Sequence, residues 1–362
     1  MSSIDIKNLT KRFGALTAVD NVSMHIPEGE VLCLLGPSGC GKTTTLRMIA
    51  GLEQETTGGI FLNNRQVNHL STRQRDISMV FQFYALYPTL TVEENVAFPL
   101  RSEVITNKDL QARVSRVLSA LQLLDVAGRT PGQLGEGEKQ RVAVARAVVR
   151  TPNCFLFDEP LSRLDVTLRH QMRGEIKEIL GGLSKATVIV THDQLEALTM
   201  ADRIAVMRCG IIEQIATPHE IFTEPENLFV AGFVGTPAMN LLPATLKHIH
   251  DTNATFQICG QTVVFTVDPA VRHVAIGTKV TIGVRPRAFT LHDEAMPYAL
   301  SGQIDLIEPM GAETLIHAMA EDTEVRVVVD RSVRPEVGAN LHIQPKPGHV
   351  LVFDDDGRLL KS

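Results

Sequence analysis

Residues 36–43 read Gly36-Pro37-Ser38-Gly39-Cys40-Gly41-Lys42-Thr43, and this stretch is the strongest indication of the fold. It follows the apolar run Val31–Leu35 and precedes a helix-compatible run, Thr43–Gly51. A GxxxxGK[ST] stretch in this context forms a phosphate-binding loop, because its glycines let backbone N–H groups approach phosphate oxygens closely. A glycine-rich turn that happens to hold a lysine is the alternative, but it does not account for the flanking strand and helix. The sequence therefore predicts a phosphate site in an α/β domain.

Two side chains of this loop are expected to contact the phosphates or their metal ion. Lys42 is expected to reach the β- and γ-phosphates, and the Thr43 hydroxyl is expected to ligate Mg²⁺. The residues expected to hold the nucleotide here are Gly36, Pro37, Ser38, Gly39, Cys40, Gly41, Lys42, Thr43 and Thr44.

Composition limits the class of protein. The chain has 362 residues, enough for about two domains, and it is 44% hydrophobic and 21% charged, which excludes a disordered chain. The net charge of −6 argues against a general nucleic-acid binder. Five scattered cysteines without a CxxC pair predict neither a disulfide framework nor a zinc knuckle. The sequence lacks an apolar run of membrane-spanning length and a signal-like N-terminus, so we expect a soluble intracellular protein.

The pattern of elements changes after Gly235-Thr236-Pro237, which predicts domains at 1–235 and 236–362. Strand-like and helix-like runs alternate before this point, as expected for a parallel sheet covered by helices on both faces. The pairs are Val31–Leu35 with Thr43–Gly51, Cys154–Phe157 with Val166–Leu180, and Thr187–Val190 with Gln194–Met200. Residues from about 84 to 150, mainly helical after 102, predict a helical subdomain.

Short β-rich runs separated by turn residues follow residue 236 and predict a small barrel or sandwich. These runs are Thr262–Val267, Lys279–Val284, Glu324–Val329 and Val350–Phe353. Residues 236–362 hold 11 Lys/Arg and 15 Asp/Glu, so most of the net negative charge lies in this second domain.

Polar residues end two further predicted strands. The run Cys154–Phe157 leads into Asp158 and Glu159; we expect Asp158 to hold Mg²⁺ and Glu159 to orient or deprotonate the attacking water. His192 follows the strand Thr187–Val190, at the sheet edge where ligands of open α/β sheets collect, so we expect it to contact the γ-phosphate. A packed loop histidine is the alternative at this position.

Together these residues resemble the ATP-binding-cassette (ABC) ATPases, in particular the ATP-hydrolysing subunits of bacterial carbohydrate importers of the maltose and glycerol-3-phosphate type. Phe13 lies where that family stacks an aromatic ring on adenine, although an ordinary core phenylalanine is the alternative. Gln82 matches the Q-loop, which contacts Mg²⁺ and the γ-phosphate, and Tyr84–Pro88 resembles the surface that receives the membrane subunit. Leu161–Asp165 resembles the D-loop. Similar motifs of the importer subfamily are 217–221, 229–235, 238–240, 283–286 and 310–314.

This resemblance implies an α/β P-loop NTPase domain of the ABC type, followed by an all-β OB-like (TOBE) regulatory domain. It implies ATP and Mg²⁺ as cofactors and a head-to-tail pair of ATPase subunits. The implied partners are two transmembrane permease subunits and, indirectly, an extracytoplasmic solute-binding protein, with no nucleic acid. The implied location is the cytoplasmic side of the inner membrane, as a peripheral subunit.

The implied solute is a sugar, a polyol or a glycerol-3-phosphate-like compound. Importers of polyamines, iron or sulfate share the same plan and remain an alternative, as does a regulatory ABC ATPase outside transport. An ABC ATPase acting on nucleic acid or ribosomes is disfavoured by the single cassette and the acidic charge.

The signature motif departs from the family pattern Leu-Ser-Gly-Gly-Gln. Here it reads Leu134-Gly135-Glu136-Gly137-Glu138, so Gly135, Glu136 and Gly137 are the positions expected to face the nucleotide of the opposite subunit. Gly135 lacks the serine hydroxyl, and Glu136 adds a negative charge near a polyanion. At about 4 Å and an effective dielectric near 20, one such like charge costs roughly 4 kcal/mol before screening. Either Glu136 turns towards basic neighbours or caps the helix in a functional homodimer, or the subunit pairs with a second, different ATPase.

Overall fold

A computed structural model describes residues 3–292 and 294–362. The chain divides into two compact units, residues 1–219 and 220–362. Within the described residues, no helix is long and apolar enough to cross a membrane. The domain boundary after residue 235 and the extent of the helical subdomain stay predictions.

The first unit contains two sheets. Its strands are β1 Ile4–Phe13, β2 Leu16–Ile26, β3 Val31–Leu35, β4 Thr57–Leu62, β5 Arg65–Gln66, β6 Ser78–Val80, β7 Phe155–Asp158, β8 Thr187–Thr191, β9 Arg203–Arg208 and β10 Ile211–Ala216. One sheet has the order β2-β1-β4-β5 and the other has the order β10-β9-β3-β8-β7-β6. In the larger sheet, β6, β7, β8, β3 and β9 are parallel, and β10 pairs antiparallel with β9 at the edge.

The larger sheet has the buried strands predicted from the sequence. All five residues of β3 and of β8 are buried, which is typical of parallel strands covered on both faces. The predicted strand Cys154–Phe157 is confirmed with a shift of one residue. Asp158 belongs to β7 because it pairs in register with Val190 of β8, whereas the Cys154 carbonyl accepts the Ser78 N–H ahead of the strand.

Helices connect and cover these strands. They are α1 Lys42–Ala50, α2 Thr72–Arg75, α3 Val92–Ala97, α4 Asn107–Ala120, α5 Glu136–Val148, α6 Val166–Gly181 and α7 Gln194–Met200. Helix α1 ends where Gly51 adopts a left-handed conformation, with φ of +73°. The stretch between residues 92 and 148 is mainly helical, as expected, and its apolar side chains share a core with β7 and α6.

Helix α8 Pro218–Thr223 spans the boundary between the units, and the second unit continues with α9 Leu228–Phe233 and then β-structure. Its strands are β11 Asn240–His250, β12 Asn253–Ile258, β13 Gln261–Thr266, β14 Lys279–Val284, β15 Phe289–His292, β16 Leu300–Pro309, β17 Glu313–Ala320, β18 Thr323–Asp330, β19 Asn340–Pro345 and β20 Val350–Phe353. They form two five-stranded antiparallel sheets, β13-β12-β11-β14-β20 and β15-β19-β16-β17-β18. Side chains from both sheets share one apolar core, which confirms the predicted β-rich region.

Candidate functional site

The predicted nucleotide residues meet at one edge of the larger sheet. Leu35, the last residue of β3, pairs with Thr191, the last residue of β8, and Asp158 ends the neighbouring strand β7. The phosphate loop, Glu159 and His192 follow these strand ends directly, and Gln82 lies two residues beyond the end of β6. Strand ends of a parallel sheet therefore bring together groups that are more than 100 residues apart in the sequence.

Two glycines of the phosphate loop are required by its backbone. A Cβ atom on Gly36 would lie 2.3 Å from the Met207 carbonyl oxygen. Gly41 has a φ of +106°, and a Cβ atom there would lie 2.5 Å from the Ala18 carbonyl oxygen. The loop can therefore wrap closely only if these positions carry no side chain.

Lys42 is buried within the loop. Its ammonium group donates to the carbonyl oxygens of Gly36 at 2.8 Å and Pro37 at 2.9 Å. Both acceptors are neutral carbonyl oxygens. These two hydrogen bonds therefore do not neutralise the positive charge that Lys42 holds inside the loop. A phosphate group bound by the loop supplies the anion that this geometry favours.

Thr43 and Asp158 form the oxygen-rich side of the site. The Thr43 hydroxyl donates to the Asp158 carboxylate at 3.3 Å. Burial raises the pKa of Asp158 above its usual value, and the hydrogen bond from Thr43 opposes this shift. The partly buried Thr43 hydroxyl and the buried Asp158 carboxylate are hard oxygen donors of the kind that Mg²⁺ prefers, and a cation beside them would favour the ionised form of Asp158. These residues therefore fit the predicted metal ion.

Glu159 lies between the other two predicted catalytic residues. One carboxylate oxygen accepts from the Gln82 amide at 2.9 Å, and the other lies 3.1 Å from His192 Nδ1. The Glu159 backbone N–H donates to the Val190 carbonyl at 2.9 Å while its φ is +48°, an uncommon value for a residue other than glycine. Strained backbone at a predicted catalytic position indicates that the surrounding structure fixes the carboxylate in place.

Phe13 lies apart from this edge, at the end of β1 in the antiparallel sheet. It is 47% exposed, so the alternative of an ordinary core phenylalanine is wrong. The Lys11 ammonium lies 4.6 Å from the ring centroid and also pairs with Glu53 at 2.7 Å. An exposed ring beside a cation is suited to stacking against a planar base.

The altered signature forms the N-terminus of α5. Gly135 is its N-cap, and the Gly135 N–H donates to the Glu138 carboxylate at 2.8 Å. Glu136 pairs with Lys139 at 2.8 Å and is thus turned towards a basic neighbour, as the first alternative expects. Gly137 is buried, and a Cβ atom on it would lie 2.9 Å from a Leu168 methyl carbon.

A groove of about 360 Å³ lies beside the segment that follows Gln82. Tyr87 and Phe98 are both exposed, with ring centroids 4.4 Å apart, and Arg146 lies 5.6 Å from the Tyr87 ring. Tyr87 is 40% exposed and so does not belong to the core of the helical region. Tyr84, in contrast, is buried.

Sequence reasoning missed two residues that shape this segment. Asn95 is fully buried in α3; its amide oxygen accepts the Tyr87 N–H at 2.9 Å, and its amide nitrogen donates to three carbonyls of residues 87–91. The Arg146 guanidinium donates to the Tyr84 carbonyl at 2.9 Å. A buried asparagine within a helix is a weak signal of such a role, because only the fold reveals which loop it holds.

Family comparisons match three parts of the chain. Residues 19–162 match the ABC transporter family, residues 235–289 the MalK OB fold domain, and residues 282–353 the TOBE domain.

Individual relatives extend over nearly the whole length. The sulfoquinovosyl glycerol transport ATP-binding protein of Agrobacterium fabrum is 41% identical over 98% of this chain and 98% of its own. An sn-glycerol-3-phosphate import ATP-binding protein of Ruegeria pomeroyi is 44% identical over 91% of this chain and 90% of its own. Among solved structures, the ATP-binding cassette MJ0796 in a dimeric post-hydrolysis state with ADP and Pi matches with a TM-score of 0.53 and 33% identity. That match covers 59% of this chain and 98% of the cassette.

Proposed function

Because the chain belongs to the family of ABC transporter ATPases, we propose that it is the ATP-hydrolysing subunit of a bacterial importer whose solute is a sugar, a polyol or a glycerol-3-phosphate-like compound. The observation that carries the proposal is the position of Glu159 between Gln82 and His192, beside an intact phosphate loop. The names of the relatives support the solute class.

Each group at the sheet edge has a role in this proposal. The loop N–H groups and Lys42 bind the β- and γ-phosphates, and Thr43, Asp158 and Gln82 hold Mg²⁺, which neutralises phosphate charge when bound. Glu159 accepts a proton from the attacking water, or orients that water, while His192 contacts the γ-phosphate. Phe13 stacks on the adenine.

An intact Glu159 favours hydrolysis over the alternative of a regulatory protein that binds ATP without cleaving it. Its side chain is 18% exposed, so the carboxylate can reach solvent, and contacts with Gln82 and His192 hold it from two sides.

We propose that two membrane permeases and a second ATPase subunit complete the importer, with this chain at the cytoplasmic face of the inner membrane. The groove at Tyr87 and Phe98 is lined mostly by apolar residues, together with Arg146 and Arg150. A short permease helix with an apolar face and acidic flanks would complement it. Whether the second ATPase is another copy or a different chain stays open, and native mass spectrometry of the importer decides between them.

Reconstitution in proteoliposomes with the permeases and the solute-binding protein tests the function. We expect ATP-driven uptake of labelled sn-glycerol-3-phosphate or of a neutral sugar or polyol, lost in Lys42→Ala and kept in Lys177→Ala, an exposed control on α6. Uptake of putrescine, iron or sulfate instead would overturn the solute class. Hydrolysis that the permeases and the loaded binding protein leave unchanged would overturn the importer role.

A further inference from the structure

Arg169, in the first turns of α6, bonds two separate segments of the first unit. One terminal nitrogen of its guanidinium donates to the Leu164 carbonyl oxygen at 3.0 Å, within the D-loop at residues 161–165. The other terminal nitrogen lies 3.4 Å from the carboxylate of Asp193, the residue that follows His192. Because the guanidinium is planar and presents its donors in a fixed fork, it sets the spacing between the D-loop and the segment that carries His192.

Side chains fix the backbone on both sides of His192. On one side, the buried Thr191 hydroxyl donates to the buried Glu196 carboxylate at 2.7 Å and accepts the Asp193 N–H at 3.0 Å. On the other side, one carboxylate oxygen of Asp193 caps α7 by accepting two N–H groups at 2.8 and 3.1 Å, and its second oxygen faces the guanidinium. The His192 side chain itself is 53% exposed, so its orientation depends on this backbone more than on packing.

The D-loop also contacts the backbone of Glu159, the proposed base. The Ser162 hydroxyl donates to the Glu159 carbonyl oxygen at 3.1 Å, and the Ser162 N–H donates to the same oxygen at 3.3 Å. The Glu159 side chain, in turn, lies 3.1 Å from His192 Nδ1. The contacts therefore form a closed ring, which runs from Glu159 through the D-loop to Arg169 and returns through Asp193 and His192. Arg169 is the member of this ring that joins its two halves.

A purely electrostatic role for Arg169 is the alternative. Burial raises the pKa of Glu196, while the hydrogen bond from Thr191 and, after it, the charges of Arg169 and Arg173 oppose this shift. Any cation at position 169 would serve that role. The bridge, in contrast, needs two donor nitrogens in one plane, and the single ammonium of a lysine does not reproduce this fork. Exchanging arginine for lysine therefore separates the two roles.

We propose that Arg169 is a positioning residue, which ties the segment of His192 to the D-loop and so keeps the His192 imidazole in contact with Glu159 during ATP hydrolysis. The inference rests on the proposed function, since it gives Arg169 a part in the reaction assigned to Glu159 and His192. Arg169 touches neither the phosphate loop nor the proposed metal ligands in its hydrogen bonds, so breaking the bridge should slow hydrolysis without weakening the binding of ATP.

A double-mutant cycle tests the bridge in the full-length chain assembled with its permeases. Arg169→Lys keeps the charge, and Asp193→Asn keeps the oxygen that caps α7. We expect each to lower kcat for MgATP roughly three- to tenfold, with KM within about twofold of the parent value. The double variant should lose no more than either single variant, because both substitutions break the same contact. Arg113→Lys, which alters the ion pair with Glu103 at 3.2 Å on α4, is the matched control.

Three kinetic outcomes would overturn the proposal: full activity in Arg169→Lys, losses that add in the double variant, or a loss confined to KM. Crystal structures of the parent chain and of both single variants measure the positioning directly, and they decide the matter even if one variant fails to fold. We expect His192 Nδ1 within hydrogen-bonding distance of Glu159 in the parent chain and beyond it in the variants. An imidazole that keeps this distance contradicts the inference. A parent complex that hydrolyses no more ATP than Lys42→Ala contradicts the proposed function, while the crystal structures still decide the inference.

Discussion

Replacing Glu159 by glutamine should abolish hydrolysis while leaving ATP binding and folding intact. The substitution keeps the size and the backbone preference of the side chain, so the left-handed φ of +48° is equally strained in both proteins. The Glu159 carboxylate contacts the Gln82 amide at 2.9 Å and His192 Nδ1 at 3.1 Å. The glutamine side chain keeps one oxygen, which can accept a hydrogen bond from Gln82 or from His192. The expected loss of stability is therefore about 1 kcal/mol or less.

The effect on the reaction is much larger, because an amide cannot accept a proton from water. General-base catalysis contributes about 10²- to 10⁴-fold, which corresponds to roughly 3–5 kcal/mol in the barrier. We expect kcat for ATP to fall by this factor in a phosphate-release assay, with the ATP dissociation constant within about twofold of the parent value.

Glu28→Gln, an exposed carboxylate in a turn, controls for the loss of one charge. Hydrolysis by Glu159→Gln within threefold of the parent chain would refute the assignment of the base. A fall in ATP affinity matching the fall in kcat would instead place Glu159 in binding.

Further consequences concern the loop, the metal side, the groove and the second unit. Gly41→Ala, with its Cβ 2.5 Å from a carbonyl oxygen and a φ of +106°, should abolish ATP binding and lower stability by about 1–3 kcal/mol in thermal denaturation. Asp158→Asn should raise Tm near pH 7.5, because burial raises the pKa of Asp158 and disfavours its charged form in the fold. That gain should vanish as the pH falls below the usual aspartate pKa, where the carboxyl is neutral in both folded and unfolded chains. MgATP hydrolysis should be lost. Phe98→Asp should prevent copurification with the permeases without changing ATP affinity, since it places a charge in the exposed aromatic groove. Asn240→Ala should destabilise the second unit by about 2–3 kcal/mol in urea unfolding, because it leaves the buried Val284 carbonyl and the partly buried Arg326 backbone groups without this partner.

Much of the fold follows from local patterns. The run Val31–Leu35 is apolar at every position, as a strand covered on both faces requires, and it forms β3 with the predicted bounds. Gln194–Met200 and Lys279–Val284 also match their elements to the residue. The pairing order could not be predicted, because β3 lies between β8 and β9, which are more than 150 residues away in sequence. Nothing in the local sequence of β3, β8 or β9 specifies that these strands are neighbours in the sheet.

The site was predictable where chemistry is tied to a strand end, and less so where it depends on packing. Asp158 ends a buried strand, and Glu159 and His192 directly follow buried strands, so the parallel sheet had to bring them to one edge. The contact of Glu159 with Gln82 required β6 to lie beside β7, which the sequence does not specify. The stacking of Arg163 on Phe83 depends on two loops meeting in space, and neither loop carries a periodic pattern.

The burial of charge at the sheet edge gives an independent reason to place nucleotide and metal there. Lys42 and Asp158 are both buried. In its two shortest contacts, the Lys42 ammonium donates only to neutral carbonyl oxygens. Burial disfavours the ionised form of the Asp158 carboxyl. Both conditions lower the stability of the ligand-free fold. A polyphosphate relieves the first and a divalent cation the second, so binding of MgATP should stabilise the chain by more than the sum of the shifts caused by each component alone. Thermal denaturation with ATP plus EDTA, with Mg²⁺ alone and with MgATP measures this difference directly. Shifts that merely add would argue against a shared site for Lys42 and Asp158.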